Sequence, residues 1–268
     1  DSEMKRDLQY NILITGASSG IGEALAITAA RRGATALFLC GRNRERLDAI
    51  ANRCKALGCE KVYHEIIDVA DKDSTASWIS RCDAIAPLEI VFANAGIATG
   101  KEITPNIRKT FDVNIGGCLN TVLPVIDIFK ESPSNRKRRQ IALTASMAAY
   151  APLSTCPAYS ATKAAVKTWG LSLRGMLKRD GIAVNVICPG FVRSRITDRN
   201  TCPMPFFMEA EKAAAIIINR LLKNIGLIAF PWQMRFPTWW LSTLHWRIAE
   251  IISSLLPEKN GDNRDTEK

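Results

Sequence analysis

Seven short apolar runs alternate with segments long enough for helices, and this alternation limits the possible folds more than any other feature of the chain. Strands that are covered on both faces read as short apolar runs, and strands joined through helices run parallel. The predicted strands are Asn11–Ile14, Ala36–Cys40, Val62–Ile67, Glu89–Ala93, Gln140–Thr144, Ala183–Cys188 and Leu227–Phe230. The pattern predicts an α/β fold, a doubly wound parallel sheet of about seven strands with helices on both faces. Ligands are expected beyond the carboxyl ends of the strands.

The domain organisation follows from length and composition. With 268 residues and 47% hydrophobic content, the chain is expected to form one domain, residues 1–268. Its parts are predicted to be a core at 11–230, an aromatic amphipathic extension at 231–256 and a flexible polar tail at 257–268. The first ten residues are polar, which predicts no signal peptide. The chain has no uninterrupted apolar run of about 18 residues, so no membrane-spanning helix is predicted.

The chain is basic, with a net charge of +10. Such a charge favours anionic partners, among them nucleotides, acyl carriers, nucleic acid and membrane surfaces, and does not choose between them. The basic run Arg136–Arg139 is predicted to be a solvated loop rather than a nucleic-acid or membrane surface. Eight cysteines without a C-x-x-C pair, and only two histidines, argue against a metal site and predict reduced, mostly buried thiols in a cytoplasmic protein.

A glycine-rich turn, Thr15–Gly22, follows the first predicted strand and opens a predicted helix, Ile21–Arg32. Glycines allow a tight turn and close backbone approach, and a helix N-terminus presents free N–H groups and a positive dipole to a pyrophosphate. The alternative is simple helix capping. The residues expected to bind phosphate are Gly16, Ser18, Ser19, Gly20, Ile21 and Gly22.

The residues after the second and third strands are candidates for binding the adenosine part of a dinucleotide. An NAD site usually places an acid after the second strand, whereas this chain has Cys40-Gly-Arg42 there. A guanidinium suits a 2′-phosphate, so NADP(H) is favoured over NAD(H). The alternative is that Arg42 is a solvated residue beside the predicted helix Arg44–Leu57. Asp68 and Val69 are candidates for adenine binding, although Asp68 could equally cap the next helix.

Tyr159 and Lys163 lie four residues apart at the start of a predicted helix, so they should share a face. A nearby ammonium is expected to lower the pKa of the phenol and make it a usable proton donor and acceptor. Ser146 follows the strand Gln140–Thr144, whose carboxyl end should face the same crevice. Its hydroxyl could hold a carbonyl oxygen and stabilise the charge that develops there.

With these residues in view, the sequence resembles the short-chain dehydrogenase/reductase family over roughly Asn11–Phe230. Thr15–Gly22 matches the family's TGxxxGxG turn, and Asn94-Ala95-Gly96 matches its N-A-G after the fourth strand. Asn114, Ser146, Tyr159 and Lys163 match its catalytic tetrad, and Pro189-Gly190 matches its P-G after the sixth strand. The resemblance implies a Rossmann-type fold and a nicotinamide cofactor.

The resemblance also implies a role for each residue. Tyr159 would protonate the substrate oxygen while hydride reaches carbon, and Lys163 would lower the tyrosine pKa and hold the nicotinamide ribose. Ser146 would position the substrate oxygen, and Asn114 would anchor a water that links Lys163 to solvent. The further residues implied in cofactor binding are Asn94, Ala95, Gly96, Pro189, Gly190, Val192 and Ser194. No metal is implied.

Two regions depart from the family pattern. Ser194 stands where the family commonly has a threonine, and the stretch Arg195–Met208 that follows would be the substrate lid. Its two arginines, Arg195 and Arg199, and its apolar residues suggest a substrate with an anionic handle and an apolar part, against the alternative of ordinary lid packing.

The second departure is the C-terminal segment. Four of the six tryptophans lie between 232 and 246, and the spacing predicts an amphipathic helix over Trp239–Leu256. It could pack on the body or a second subunit, cover the pocket, or touch a membrane.

These features together predict an NADP(H)-dependent oxidoreductase that acts on a ketone or 3-oxoacyl-type carbonyl, or on the corresponding secondary alcohol. We expect a homo-oligomer, dimer or tetramer, with no nucleic-acid partner and a possible peripheral membrane contact through 232–256. One alternative is a catalytically silent nucleotide sensor or scaffold of the same fold, and nucleic-acid binding through Arg136–Arg139 rests on charge alone.

Overall fold

A computed structural model describes residues 7–194, Thr197, 204–243 and 247–248. Its seven strands are β1 (Asn11–Thr15), β2 (Ala36–Gly41), β3 (Lys61–Ile66), β4 (Ile90–Ala93), β5 (Gln140–Thr144), β6 (Ala183–Pro189) and β7 (Leu227–Phe230). They form one parallel sheet in the order β3-β2-β1-β4-β5-β6-β7. The predicted fold class is confirmed.

Eight α-helices are described, and they cover both faces of the sheet. They are α1 (Gly20–Arg31), α2 (Arg44–Ala56), α3 (Lys72–Ile85), α4 (Thr104–Phe111), α5 (Gly117–Glu131), α6 (Pro157–Met176), α7 (Ala210–Leu222) and α8 (Trp232–Thr243). A π-helical turn, Asp112–Gly116, joins α4 to α5, and short 3₁₀ turns lie at Pro133–Asn135 and Met147–Ala149.

Alternation along β1 shows how the two faces are filled. Ile12 and Ile14 belong to one buried cluster, which includes residues of α1, α2 and α7, while Leu13 belongs to the other, with residues of α3, α5 and α6. Successive side chains of a strand point to opposite faces, so every central strand must be apolar throughout. The continuous segment Thr104–Glu131 is long and apolar enough to cross a membrane by length and composition, but its Val122, Val125 and Phe129 are buried in this second cluster.

The chain reverses direction across the sheet between β1 and β4. From β1 it proceeds outward through β2 and β3, and it then returns to place β4 on the other side of β1. A crevice opens at such a reversal, beyond the carboxyl ends of the strands. The residues at that edge include Thr15, Asn94, Ser146 and Gly190.

The prediction that Arg136–Arg139 is a solvated loop is wrong for three of its four residues. The Arg136 side chain is 1% exposed, and its Nη2 donates to both carboxylate oxygens of Asp83, at 2.8 and 2.7 Å. Arg138 lies over the ring of Tyr10, and Arg139 donates to the Phe129 carbonyl at 3.0 Å. Tertiary partners far along the chain account for this burial, and composition carries no signal of them.

The described cysteines are all free and buried, in agreement with their predicted state; Cys202 lies outside the described residues. Among the described residues no three His, Cys, Asp or Glu side chains cluster as a metal site would require.

The described part of the C-terminal segment is the helix α8. It packs on β7 and on the turn Met147–Ala149, while Trp232, Trp239 and Trp240 are 75%, 52% and 52% exposed. Most of the predicted helix Trp239–Leu256 and the predicted tail 257–268 lie outside the described residues. The division into core, extension and tail stays a prediction.

Candidate active site

Hydrogen bonds of Thr15 and Asn94 join the strands at the crevice. The Thr15 hydroxyl accepts from the main-chain N–H groups of Asn94 and Ala95, at 3.1 and 3.2 Å. The Asn94 side chain donates to the Thr15 carbonyl at 3.2 Å and accepts from the Thr144 hydroxyl at 3.2 Å. Asn94 therefore links the carboxyl ends of β1, β4 and β5.

The glycine-rich turn is tightly folded against that junction. Gly16 and Gly20 have φ of +68° and +58°, a region that favours glycine. A Cβ on Gly22 would lie 2.2 Å from the Gly16 carbonyl oxygen, and one on Gly16 would lie 2.8 Å from the Ala95 Cα. Side chains at these positions would push the turn apart, so the close backbone approach depends on glycine.

The N-terminus of α1 has N–H groups to offer an anion. Ser19 is the N-cap residue, and its side chain makes no capping hydrogen bond. The first N–H groups of a helix have no partner within the helix, and together with the dipole they form an anion site. Ser18 lies beside the end of β2, since a Cβ on Gly41 would come within 2.8 Å of its Oγ. Ile21 follows in the first turn, partly buried against the core.

Arg42, Asp68 and Val69 follow β2 and β3 at the same edge. Arg42 is exposed directly after β2. Asp68 accepts from the Ala70 N–H at 3.1 Å, and the N-cap of α3 is Asp71, which accepts from the Ser74 N–H at 3.0 Å. The alternative that Asp68 caps this helix is therefore wrong, because Asp71 is the residue at the helix boundary.

Val69 is held between α5 and the crevice. Its carbonyl accepts from the Asn120 side chain at 2.9 Å, and its own side chain lies against Gly117.

Tyr159 and Lys163 share a face of α6, with the ammonium 5.8 Å from the phenol ring centroid. Lys163 is only 4% exposed, and its Nζ donates to the Thr144 carbonyl at 2.9 Å. The Thr144 hydroxyl bonds Asn94, so the end of β5 connects the lysine to the junction described above.

The pKa values differ from the expectation drawn from the spacing. Burial raises the pKa of Tyr159 to about 12, which a hydrogen bond with Ser146 opposes. Burial lowers the pKa of Lys163 to about 8. The expected net lowering of the tyrosine pKa is therefore wrong for this structure, because desolvation of the phenol outweighs the stabilisation of its charged form.

Ser146 begins the turn Met147–Ala149 and faces Tyr159. Its Oγ accepts from the Ala148 N–H at 3.1 Å, and its side chain hydrogen-bonds the phenol. The thiol of Cys188, at the end of β6, accepts from the Ser146 main chain and the Tyr150 side chain, although burial still raises its pKa to about 11. The sixth strand thus holds the serine turn in place.

Asn114 lies in the π-helical turn and is 1% exposed. Its Oδ1 accepts from the Ile97 N–H at 2.8 Å, and its Nδ2 donates to the Ile97 carbonyl at 3.0 Å and to the Thr162 hydroxyl at 3.1 Å. A π-turn shifts the register of a helix and is frequent at functional sites. The side chain of Asn114 thereby connects the loop after β4 with α6.

Gly96 lies between the two polar groups of this part of the site. A Cβ at this position would lie 3.0 Å from the Lys163 Nζ and 3.2 Å from the Asn114 Oδ1. A side chain at position 96 would crowd both groups, so the absence of one lets the Asn94-Ala95-Gly96 backbone lie close to Lys163.

The segment after β6 closes the crevice on the side of the phosphate turn. Gly190 donates to the Phe230 carbonyl at 2.8 Å, and Val192 pairs with Met208. Ser194 lies beside Gly20: a Cβ added to Gly20 would lie 2.9 Å from the Cβ of Ser194. The Ser194 N–H donates to the Thr197 hydroxyl at 2.8 Å. Pro189 ends β6. Arg195 and Arg199 of the predicted lid lie outside the described residues.

Three side chains that support the site were not predicted from the sequence. Thr144 holds Lys163, and Thr162, fully buried, bonds both Asn114 and the Tyr159 carbonyl. Glu102 accepts from the Ala158 N–H at 3.1 Å and so caps the helix that carries Tyr159 from 56 residues away. Thr144 lies two residues before Ser146, and Thr162 directly precedes Lys163, so their positions in the sequence could have indicated a supporting role. The contact of Glu102 with α6 depends on the tertiary structure and has no such signal.

Comparison with known proteins shows the family of this chain. The family model for short chain dehydrogenase matches residues 10–203, more than half of the chain. An uncharacterized oxidoreductase of Myxococcus xanthus is 37% identical over 231 residues, which are 84% of this chain and 89% of that protein. The chain therefore belongs to the short-chain dehydrogenase/reductase family.

Solved structures share the fold. A short-chain dehydrogenase from Sphingobium yanoikuyae in complex with NADPH superposes with a TM-score of 0.76 at 25% identity, over 95% of this chain and 99% of that one. One from Burkholderia phymatum in complex with NAD has a TM-score of 0.77 at 20% identity, over 91% and 96%. Both neighbours carry a nicotinamide cofactor, which is NADPH in the first and NAD in the second.

The buried ammonium of Lys163 makes stability depend on pH. Its pKa is about 8 in the folded protein and ordinarily 10.5, so the unfolded chain binds this proton more tightly. The contribution of Lys163 to the free energy of unfolding therefore increases as pH rises between those values. Relative to Lys163→Met, wild type should gain up to about 1.4 kcal/mol per pH unit in this window.

Urea unfolding of both proteins at several pH values between 7 and 10 measures this difference. Lys72→Met, on the exposed start of α3, controls for the loss of one lysine charge. A difference between wild type and Lys163→Met that does not change with pH would contradict the prediction.

Proposed function

We propose that the protein is an NADP(H)-dependent oxidoreductase that transfers hydride between the nicotinamide and a carbonyl or secondary alcohol, with Tyr159 as the acid/base. The substrate is a small molecule of the ketone or 3-oxoacyl type. One observation carries the proposal: Ser146, Tyr159 and Lys163 lie together at the carboxyl edge of the sheet, with the glycine-rich turn at the same edge.

The residues at that edge fit a dinucleotide. The uncapped N-terminus of α1 and the close-packed glycines suit a pyrophosphate held by Gly16, Ser18, Ser19, Gly20, Ile21 and Gly22. The exposed guanidinium of Arg42 suits a 2′-phosphate, and Asp68 and Val69 suit the adenine. Asn94, Ala95, Gly96, Pro189, Gly190, Val192 and Ser194 would border the nicotinamide end.

The cofactor supplies the hydride chemistry, and the chain supplies alignment and a proton. Tyr159 has a pKa of about 12, so its hydroxyl is protonated near neutral pH and is suited to donate to a carbonyl oxygen. Ser146 already bonds the phenol, and a substrate oxygen accepting from both hydroxyls would be fixed between them.

Lys163 and Asn114 support that pair. The ammonium of Lys163, with its pKa near 8, is mostly charged at neutral pH and stabilises a phenolate formed after proton transfer. Among the residues that the structure describes, its Nζ donates only to the Thr144 carbonyl, and its other two N–H donors suit the ribose hydroxyls of the cofactor. Asn114 holds the loop after β4 against α6 and keeps the lysine in register.

Replacing Tyr159 by phenylalanine removes the proton donor and leaves the ring. Because general acid catalysis contributes roughly 10²–10⁴-fold, we expect Tyr159→Phe to lower kcat by about a hundredfold or more. The measurement is NADPH oxidation at 340 nm over a panel of ketones and 3-oxoacyl compounds. Tyr63→Phe, at an exposed ring on the edge strand β3, should keep the wild-type rate. Equal rates for wild type and Tyr159→Phe would contradict the mechanism.

Replacing Arg42 by alanine removes the cation proposed to hold the 2′-phosphate. We expect Arg42→Ala to raise KM for NADPH about tenfold or more, because a charge-assisted hydrogen bond is lost, and to change KM for NADH far less. Steady-state kinetics with both cofactors measures this, with Lys55→Ala on the exposed side of α2 as the control. A parallel change in both KM values would argue against a 2′-phosphate contact.

We also propose a cytoplasmic homo-oligomer, dimer or tetramer, that touches membrane peripherally through 232–256. The free, buried cysteines support a reducing compartment, and the exposed Trp232, Trp239 and Trp240 support an interfacial surface.

Co-sedimentation with anionic phospholipid vesicles tests the contact. Wild type should sediment, and a Trp239→Ala/Trp240→Ala variant should not, while Leu123→Ala, another exposed apolar residue, should sediment like wild type. Wild type that stays in the supernatant would remove the membrane proposal. Light scattering gives the oligomer as a multiple of 29.5 kDa.

A further inference from the structure

The helix α6 carries both Tyr159 and Lys163, and its own residues do not cap its first turn. Cys156 is the N-cap residue, and its side chain makes no capping hydrogen bond. The next residue, Pro157, has no N–H, and the first turn contains no acidic side chain. Ala158 therefore offers the first N–H of the helix, and this group has no acceptor within the helix.

A residue of a distant loop supplies the missing cap. In α2 and α3 the N-cap residues themselves, Asn43 and Asp71, accept from main-chain N–H groups of the first turn at 2.9 and 3.0 Å. In α6 the Oε1 of Glu102 accepts from the Ala158 N–H at 3.1 Å. Glu102 forms no ion pair with the described residues, and a carboxylate is favourable at the positive end of the helix dipole.

The loop that carries Glu102 is fixed by side chains outside α6. It follows β4, and the amide of Asn114 bonds both main-chain polar groups of Ile97 at 2.8 and 3.0 Å. Asn106, on α4, donates to the carbonyl of Lys101 at 2.9 Å, directly before Glu102. The position of the Glu102 carboxylate is therefore set by α4 and the π-helical turn, and its bond ties α6 to this separate unit.

Tyr159 lies between two contacts of α6 with that unit. On one side is Ala158, held by the carboxylate. On the other is Thr162, which accepts from the Asn114 side chain at 3.1 Å and donates to the Tyr159 carbonyl at 2.8 Å. Tyr159 is the third residue of the helix, and helix ends fray. The hydrogen bond of the phenol with Ser146 requires that this first turn stay in place.

We propose that Glu102 is a positioning residue for Tyr159. By capping α6 from the loop after β4, its carboxylate holds the first turn in the geometry in which the phenol meets Ser146. Lys163 lies one turn further along and is bonded to the Thr144 carbonyl, so its position does not depend on Glu102. This inference rests on the proposed function, in which Tyr159 is the acid/base.

Two substitutions of Glu102 separate the cap from the size of the side chain. Glu102→Ala removes the acceptor, whereas Glu102→Gln keeps a side-chain oxygen. Because loss of a cap shifts the equilibrium of a helix end about fivefold, we expect Glu102→Ala to lower kcat for NADPH oxidation about fivefold. KM for NADPH should stay unchanged, since the glycine turn and Lys163 are held by other groups. Glu102→Gln, and the control Glu131→Ala at the exposed end of α5, should keep the wild-type kcat. An unchanged kcat in Glu102→Ala would overturn the proposal.

A double-mutant cycle distinguishes positioning from general support of the fold. Tyr159→Phe removes the proton donor, so Glu102→Ala in that background should change the residual kcat by less than about twofold, because coupled residues are not additive. The same fivefold loss in both backgrounds would show that Glu102 does not act through Tyr159 and would overturn the proposal.

Amide hydrogen exchange of the full chain without ligands tests the cap independently of turnover. The Ala158 and Tyr159 amides should exchange about fivefold faster in Glu102→Ala than in wild type, while Glu102→Gln and Glu131→Ala should match wild type. Unchanged exchange in Glu102→Ala would overturn this inference whether or not the chain turns over. A wild type that oxidises no NADPH, together with faster exchange in Glu102→Ala, would refute the proposed function and not the cap.

Discussion

Parallel pairing of β1 with β2 on one side and β4 on the other is the constraint on which the rest of the structure depends. Parallel strands end at one edge of the sheet, so residues far apart in the chain meet there. Asn94 bonds both Thr15 and Thr144 and so joins the ends of three strands, and the glycine turn folds against this junction. Because every strand is covered on both faces, this edge is where polar side chains of the strands reach a crevice.

Burial at this edge destabilises the charged form of Lys163. An ammonium that is almost fully enclosed loses hydration, and its pKa falls to about 8. The Thr144 carbonyl replaces part of that hydration, and Thr162 and Asn114 fix the helix around it. The same enclosure raises the pKa of Tyr159. Burial, rather than the four-residue spacing, decides the direction of both pKa shifts.

Prediction from the sequence was most accurate where local pattern and burial coincide. The strands were placed to within a residue or two, because apolar runs bounded by turns carry their own signal. Prediction failed where a partner comes from a distant segment. Arg136 was expected in solvent and is buried on Asp83, 53 residues away, and Asp68 was considered as the cap that Asp71 provides. Glu102 at the start of α6 gave no local signal.

The sequence by itself determined the order of strands and helices, the glycine turn, and the presence of Asn114, Ser146, Tyr159 and Lys163 in family spacing. These are local or consecutive features, fixed by propensity, periodicity and motif. The tertiary structure alone decided the direction of the pKa shifts, the partners of the buried polar groups and the capping of α6 from a distant loop. Those depend on desolvation and on contacts between segments, and only the folded arrangement of the chain establishes them.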